Sequence, residues 1–192
     1  MEHREKILKA AAKVYSEVGF RGATTRRIAQ EAGVNEITLF RQFGSKAVLL
    51  HEAIHAAGLF PAAPELPSEA GDVRTELLPW ALAHYRDLVD KRSLIRTCFG
   101  ECEEHPGILP PSDNSARRST ESLARYLGSL QQQGLVRKDL SLQTAAAMLT
   151  GVLFADAMGR DIMPELFESD AETSIAQYLD FFLRAIRATE AL

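Results

Sequence analysis

Residues 24–46, TTRRIAQEAGVNEITLFRQFGSK, decide the fold because they hold two short helical patterns separated by a turn. The first pattern has its apolar residues at helical spacing: Ile28, Ala29 and Ala32. Gly33 predicts the end of that helix, and Asn35 is suited to cap the next one. The second pattern has a predicted apolar side formed by Leu39, Phe40 and Phe43. Two helices that meet through a turn of about three or four residues form a helix-turn-helix motif.

A longer amphipathic helix precedes this motif. Its apolar residues also recur at helical spacing: Ile7, Leu8, Ala11, Ala12, Val14, Tyr15 and Val18. Gly19 predicts its end, and we expect this helix to brace the two that follow. Ser45 predicts the cap of a further helix, which begins at Lys46 and runs toward Gly58.

The remainder of the chain has helical periodicity in every long segment after a proline-rich connection at 60–67. The predicted helices cover 72–90, 93–105, 113–133, 141–160 and 169–189. No strand is predicted. We therefore expect an all-α fold with about nine helices, in which an N-terminal three-helix helix-turn-helix head precedes a C-terminal helical bundle.

Charge is divided unequally along the chain. The net charge is −4, but residues 1–50 hold nine Lys and Arg against five Asp and Glu and so carry +4. The remainder of the chain carries −8. A basic head on an acidic body directs the attraction for a polyanion to the head.

The composition excludes several classes of protein. Apolar residues make up 46% and charged residues 25%, which is typical of a globular protein and not of a mainly disordered one. No run approaches the ~20 apolar residues of a membrane span, and the N-terminus lacks the apolar centre of a secretory signal. We therefore expect a cytoplasmic protein with no membrane partner. The two cysteines, Cys98 and Cys102, imply no disulfide framework.

The helix-turn-helix segment carries side chains of the kind that bind a DNA duplex. Long polar side chains on a narrow helix reach base edges in the major groove. The candidates for this role are Asn35, Glu36, Thr38, Arg41, Gln42, Arg26 and Arg27. Hydroxyls, cations and helix N-termini bind the sugar-phosphate backbone. The candidates for this second role are Thr24, Thr25, Thr38, Ser45 and Lys46.

Each of these residues, taken alone, is more simply explained as a helix cap or a solvated surface charge. Their joint occurrence in one helix-turn-helix pattern favours DNA binding by the head.

The segment resembles the tetracycline-repressor (TetR) family of bacterial regulators. The resemblance runs from Ile7 to about Leu50, through Gly19-Phe20, TTRRIAQEAGV, TLFRQFGSK and the apolar helix after them. It implies one set of residues that face bases: Arg26, Glu36, Ile37 and Arg41. It implies a second set that lies beside phosphates: Thr25, Thr38, Phe40, Gln42 and Lys46.

Two positions depart from the family pattern. The family commonly has a tyrosine whose hydroxyl bonds a phosphate where this chain has Phe40, and we expect the Phe40 ring only to pack. The family usually has a small residue or proline where this chain has Ile37, which is bulky enough to press on a thymine methyl. The operator sequence therefore cannot be carried over from the family.

The resemblance also implies a domain organisation and a function. The expected domains are a helix-turn-helix DNA-binding domain at 1–46 and a ligand-binding and dimerisation domain at 47–192. The expected function is that of a homodimeric transcriptional regulator, a repressor released from a palindromic DNA operator by a small-molecule effector. No cofactor and no metal are expected.

The body is expected to hold both the dimer interface and the effector pocket. The family places the interface on the last two long helices, where the suited residues are Ala145, Leu149, Val152, Tyr178, Phe181 and Phe182. Pockets are mostly apolar with a few polar groups. The candidates for the pocket are Trp80, His84, Tyr85, Cys98, Phe99, Cys102, Tyr126, Phe154 and Met158. Ordinary core packing is the alternative explanation for both sets.

Two alternative functions stay open. Cys98, Cys102 and His105 are spaced at i, i+4 and i+7 on a predicted helix, so a metal- or redox-responsive regulator could use them. Three ligands from one helix rarely complete a tetrahedral metal site, however. A helical enzyme is the more distant alternative, because the chain has no phosphate loop, no Gly-x-Ser-x-Gly elbow and no dinucleotide-binding fingerprint.

Overall fold

The computed structural model of the chain describes residues 2–59, 64–67, 71–108 and 114–188. Within these residues it holds nine α-helices and no strand, apart from an isolated bridge between Val136 and Arg187. The helices are α1 (Glu2–Gly22), α2 (Thr25–Ala32), α3 (Glu36–Phe43), α4 (Lys46–Ala57), α5 (Val73–Asp90), α6 (Arg92–Glu101), α7 (Asn114–Gln132), α8 (Leu142–Gly159) and α9 (Ala171–Ile186). The predicted all-α fold class is confirmed.

The predicted helices agree with the observed ones to within a few residues, with one clear exception. The helix predicted at 93–105 extends too far, because α6 ends at Glu101 and irregular turns follow. Cys102 is the C-cap of α6 and keeps helical backbone angles, but His105 lies beyond the helix that holds Cys98, so the helical face predicted for all three residues is wrong. Half of the predicted connection at 60–67, residues 60–63, lies outside the described residues.

The helices form two compact units. The first unit contains α1 to α4 together with α6, and the second contains α5, α7, α8 and α9. Helix α4 packs against α1 within the first unit. A functional boundary after residue 46 stays a prediction. In the structure, α4 and α6 pack in the same unit as α1, α2 and α3, the three helices of the head.

The long helix α1 lies at the centre of the first unit. It packs against α2, α4 and α6, and the side chains that it buries completely include Ile7, Ala11 and Tyr15. Gly19 interrupts its path with a φ of 68° and a ψ of −176°, a backbone conformation that residues with a side chain rarely adopt. One further turn continues to Gly22. The prediction that this helix braces the next two is confirmed for α2, against which it packs, and stays a prediction for α3.

A buried carboxylate joins three helices of the second unit. Asp156 of α8 is 1% exposed and accepts hydrogen bonds from the Tyr85 hydroxyl of α5 and the Tyr178 hydroxyl of α9, each at 2.9 Å. The Arg160 guanidinium donates to both carboxylate oxygens, from Nε at 2.8 Å and from Nη2 at 2.6 Å. Because these four bonds compensate the loss of hydration, the buried charge is well accommodated.

Helix α8 has the most apolar sequence of the described helices. By length and composition alone, Leu142–Gly159 would be able to cross a membrane. In the structure it packs against α5, α7 and α9 within the second unit. It has the character of a core helix with an exposed apolar side.

We expect Asp156→Asn to lower the free energy of unfolding by about 3 kcal/mol, because it removes the charged partner of a largely buried arginine. Chemical denaturation at neutral pH measures this loss. Asp139→Asn is the matched control, since Asp139 pairs with Arg137 at the exposed surface and its loss is expected to change little. Equal losses in the two variants would contradict the structural role of Asp156.

The stability difference between the natural chain and Asp156→Asn is also expected to depend on pH. Burial alone would raise the pKa of Asp156, but the hydrogen bonds from Arg160, Tyr178 and Tyr85 outweigh it and hold the pKa below its ordinary value. The stability that Asp156 contributes is therefore present above the unfolded-state pKa of about 4 and is lost as the pH falls toward the folded-state value. The difference in unfolding free energy between the natural chain and Asp156→Asn should narrow in acid.

Candidate nucleic-acid interface

Helix α3 turns one side inward and leaves the other exposed. Its two buried residues, Leu39 and Phe43, lie one turn apart. On the outer side Ile37 is 73% exposed, and Arg41 and Gln42 are exposed as well. A short helix that projects long side chains from an exposed face has the form that enters the major groove of DNA.

Side-chain caps fix where α2 and α3 begin. Thr24 Oγ1 accepts a hydrogen bond from the backbone N–H of Arg27 at 3.2 Å, and Asn35 Oδ1 accepts one from the N–H of Ile37 at 2.9 Å. Gly33 ends α2 in the left-handed conformation, with φ 64° and ψ 38°. The predicted cap at Asn35 and the predicted end at Gly33 are both confirmed.

The starts of α2 and α3 are also bonded to each other. Thr25 Oγ1 donates a hydrogen bond to Glu36 Oε1 at 2.5 Å. A free carboxylate at this position would repel a phosphate. The hydrogen bond from the Thr25 hydroxyl partly compensates the negative charge of Glu36. The two residues, both implied by the resemblance to contact DNA, therefore position each other before any DNA is bound.

The three arginines predicted at the interface differ in their partners. Arg26 and Arg41 are exposed, and no bond joins either guanidinium to another described residue. Arg27 instead donates to Glu17 of α1 at 3.3 Å. Arg26 and Arg41 therefore keep all their donors for an external partner, whereas Arg27 is partly engaged within the head.

Lys46, the first residue of α4, is engaged within the first unit. Its ammonium donates to the Phe20 carbonyl at 2.7 Å and lies 4.2 Å from the centre of the Phe20 ring. The predicted cap at Ser45 is confirmed, since Ser45 Oγ accepts from the N–H of Val48 at 3.2 Å. An ammonium has three donors, so the bond to Phe20 fixes the position of the charge and leaves donors for a phosphate. Phe20 was not among the predicted site residues.

Phe40 differs from its prediction. It is 51% exposed, so the expectations that it lies on the apolar side of α3 and that its ring only packs are wrong. Leu39 and Phe43 occupy the inner side, and Phe40 lies about 100° around the helix from Leu39. Its ring is available for apolar contact with a bound molecule. Thr38, beside it in the chain, is half-buried.

Five of the six predicted interface residues of the body line one apolar groove. The groove has a volume of about 310 Å³ and is formed by Met148, Leu149, Val152, Tyr178, Phe181, Phe182 and Ala185. The sixth residue, Ala145, is buried within the second unit. The sequence analysis missed Met148 and Ala185, although each lies four residues from a predicted member, Val152 and Phe181.

The predicted pocket residues are divided between the two units. Those in the second unit are Trp80, His84, Tyr85, Tyr126, Phe154 and Met158, and those in the first are Cys98, Phe99 and Cys102. Tyr126 lines a cavity of about 670 Å³ together with Glu65, Leu66, Pro67, Ser122 and Arg125. Tyr85 instead donates to the buried Asp156. The membership of these residues in one effector pocket stays a prediction.

The geometry gives no support to a metal or thiolate site at the cysteines. Cys98 is completely buried, and burial raises the pKa of its thiol to about 11, so it is protonated at neutral pH. Cys102 Sγ donates to the Phe99 carbonyl at 3.1 Å, and the His105 ring lies 4.1 Å from that of Phe20. In the part of the chain that the structure describes, no three His, Cys, Asp or Glu residues form a group that would hold a metal ion.

A second possible metal motif lies on α4. Residues 51–55, HEAIH, match the His-Glu-x-x-His pattern of zinc metalloproteases. Glu52 is ion-paired with Arg4 of α1, so its carboxylate is not free to act as a base. Among the described residues no third ligand joins His51 and His55. The match is one of spacing on a helix, without the site that a metalloprotease needs.

Known proteins share this arrangement. Residues 7–53 match the family described as bacterial regulatory proteins, tetR family. The chain is 26% identical over 133 residues to the uncharacterized HTH-type transcriptional regulator YvkB of Bacillus subtilis (strain 168), which covers 69% of this chain and 70% of that one. It is 25% identical over 193 residues to the HTH-type transcriptional repressor AcnR of Corynebacterium jeikeium (strain K411), covering 97% and 93%. The crystal structure of the TetR family transcriptional regulator PfmR from Thermus thermophilus superposes with a TM-score of 0.65 at 26% identity, covering 93% and 97%.

The exposed recognition helix and these matches define the class of the molecule, which is a helix-turn-helix DNA-binding transcriptional regulator and not an enzyme. Within that class, residues 7–53 match the tetR family of bacterial regulatory proteins, to which the superposed regulator from Thermus thermophilus also belongs. The resemblance noted in the sequence is confirmed. The individual DNA contacts within residues 24–46 stay predictions.

We expect Arg26→Ala to cost roughly 1–3 kcal/mol of binding free energy at one base pair of each half-site, because an unengaged guanidinium is able to bond bidentately to guanine. Affinities for an operator and for its single-base variants measure this. Arg27→Ala is the matched control: its guanidinium is shared with Glu17, and we expect a smaller loss without base preference. A loss for Arg26→Ala that is uniform across all variants would assign Arg26 to the DNA backbone.

We expect Lys46→Gln to reduce the slope of log affinity against log salt by about one unit per protomer, because one fewer phosphate is neutralised. Glutamine keeps a donor for the Phe20 carbonyl, so thermal unfolding should change little and the charge is tested separately from the fold. Lys138→Gln, at an exposed lysine of the second unit, serves as the control. An unchanged slope in Lys46→Gln would remove Lys46 from the phosphate contacts.

Proposed function

We propose that this protein is a homodimeric transcriptional repressor that binds a palindromic DNA operator and is released from it by a small-molecule effector. The observation that carries the proposal is the pairing of an exposed recognition helix in the first unit with an exposed apolar groove in the second. The first supplies contacts to DNA, and the second supplies a surface for another copy of the chain. We expect the protein to act in the cytoplasm, where its operator is.

The groove on α8 and α9 supports homodimerisation. Two of its residues are large apolar side chains in contact with solvent in the single chain, Met148 at 61% exposed and Phe181 at 69%. Apolar area of this kind is unfavourable in water and is relieved by association. The groove lies along two long helices, and their partners in a second copy would form a four-helix interface of identical patches.

A dimer also explains how a short recognition helix achieves specificity. One helix of eight residues contacts only a few base pairs. A twofold axis that sets two such helices ~34–36 Å apart reads both halves of a palindrome and multiplies the discrimination. The operator is therefore proposed to consist of two inverted half-sites.

Repression is supported by a similar protein, and effector release is supported by a cavity in the second unit. AcnR, which is similar to this chain over nearly its whole length, is named a transcriptional repressor. The second unit contains a cavity of about 670 Å³, which is within the range of small-molecule sites. An effector acts only through different affinities for the DNA-bound and free states, so we propose that it binds the free state more tightly.

We expect Phe181→Glu to convert the dimer to monomers and to weaken operator binding by about tenfold or more, because a charge replaces apolar contact at the centre of the proposed interface. Sedimentation and operator titration measure the two effects. Leu166→Glu is the matched control, because Leu166 is 65% exposed but does not line the groove. If Phe181→Glu stays dimeric, or if both variants dissociate equally, the dimer does not form through this groove.

A further inference from the structure

Two polar atoms on α5 are buried without a hydrogen-bond partner among the described residues. Trp80 is 2% exposed and His84 is 4% exposed. The Trp80 Nε1 and the His84 Nδ1 have no hydrogen-bond partner among the described residues. In the described part of the second unit these are the only buried side-chain nitrogen or oxygen atoms in that condition.

The rest of this unit shows how unusual these two atoms are. The buried Asp156 carboxylate has donors for both of its oxygens. The Tyr126 hydroxyl donates to Glu76 at 2.6 Å. An unsatisfied buried polar group is costly, and natural proteins retain few of them, often at sites of function.

The two side chains form one surface. Trp80 and His84 are four residues apart on α5, and their rings stack with centroids 5.2 Å apart and planes 19° from parallel. Glu76 lies four residues before Trp80 on the same face of the helix. Glu76 accepts a hydrogen bond from Tyr126, and Tyr126 lines the cavity of about 670 Å³, whereas Trp80 and His84 are not among the residues that line it.

We propose that Trp80 and His84 form the polar contact of the effector site, and that the effector is an uncharged molecule with a hydrogen-bond acceptor such as a carbonyl or a ring nitrogen. The proposal rests on the function proposed above and specifies the chemical class of its effector. It assigns the Trp80 N–H as the donor to the ligand and the His84 ring as the polar group beside it.

The chemistry of the two rings selects this class. An indole N–H only donates, so its partner must be an acceptor. Burial lowers the pKa of His84 to about 4, against the weaker opposite influence of Asp87, so the imidazole is neutral at physiological pH. Neither ring therefore carries a positive charge, and an anionic ligand buried against them would not be stabilised by them.

The test uses the single tryptophan of the chain, which gives a single indole N–H resonance. The full-length protein is titrated with matched probes that differ only in the acceptor: acetophenone against α-methylstyrene, cyclohexanone against methylenecyclohexane, and quinoline against naphthalene. At least one acceptor probe should shift the indole resonance and bind about tenfold or more tightly than its hydrocarbon partner. If no acceptor probe binds more tightly than its partner, or if benzoate binds more tightly than acetophenone, the inference is overturned.

A variant separates binding from folding. His84→Phe keeps a ring against Trp80 and removes the unpartnered nitrogen, so the melting temperature should stay equal or rise, while the preference for the acceptor probe should fall to what the Trp80 N–H alone provides. His55→Phe makes the same change at an exposed histidine and should alter neither quantity. A His84→Phe variant that melts several degrees lower and retains the preference would show that His84 has a structural role only.

Operator release is measured separately with the same probes. Acceptor probes that bind at Trp80 but leave operator affinity unchanged would contradict the proposed release by an effector, and would still support the binding site at Trp80 and His84. Probes that release the operator equally from the natural chain and from His84→Phe would support the proposed repressor function and contradict the proposed binding site at Trp80 and His84.

Discussion

The burial of two side chains on a very short helix is the constraint on which the candidate interface depends. Helix α3 has eight residues, which is too few to persist in water by itself. It exists because Leu39 and Phe43 are buried against its neighbours and because Asn35 caps its start. Because Leu39 and Phe43 fix the inner side, the side chains of Ile37, Phe40 and Arg41 face outward.

The surroundings of α3 prepare the surface for a polyanion. Glu36 is bonded to Thr25, Arg27 to Glu17, and Lys46 to the Phe20 carbonyl. These bonds hold side chains that would otherwise lose rotational freedom on binding, so part of the entropic cost is met during folding. Arg26 and Arg41 differ from them, because they remain unengaged by the described residues and are the most adaptable donors on the surface.

The parts of this arrangement that local sequence determines could be predicted. Gly33 and the caps at Asn35 and Ser45 act within a few residues of themselves, and all three were located correctly. Helix periodicity likewise indicated the all-α fold and most helix bounds. The family resemblance added the interpretation of residues 24–46 as a DNA-binding motif, which the comparison over residues 7–53 supports.

What could not be predicted depends on contacts between distant residues. The bond from Lys46 to Phe20 spans 26 positions, and the bonds of Asp156 to Tyr85 and Tyr178 join three helices. Phe40 was assigned to the wrong side because hydrophobicity alone does not say which apolar residue of a crowded helix stays outside. The end of α6 differs from the prediction because a helical pattern continues in the sequence beyond Glu101, where the structure has hydrogen-bonded turns in place of a helix.

Selection of bound duplexes from random DNA by the full-length protein tests the central claim most directly. If the exposed face of α3 reads bases and two copies act together, the enriched sequences will contain inverted half-sites whose centres lie about 10 base pairs, or a multiple of that, apart. If no sequence is enriched over the starting pool, the exposed helix does not read bases, and the account is contradicted.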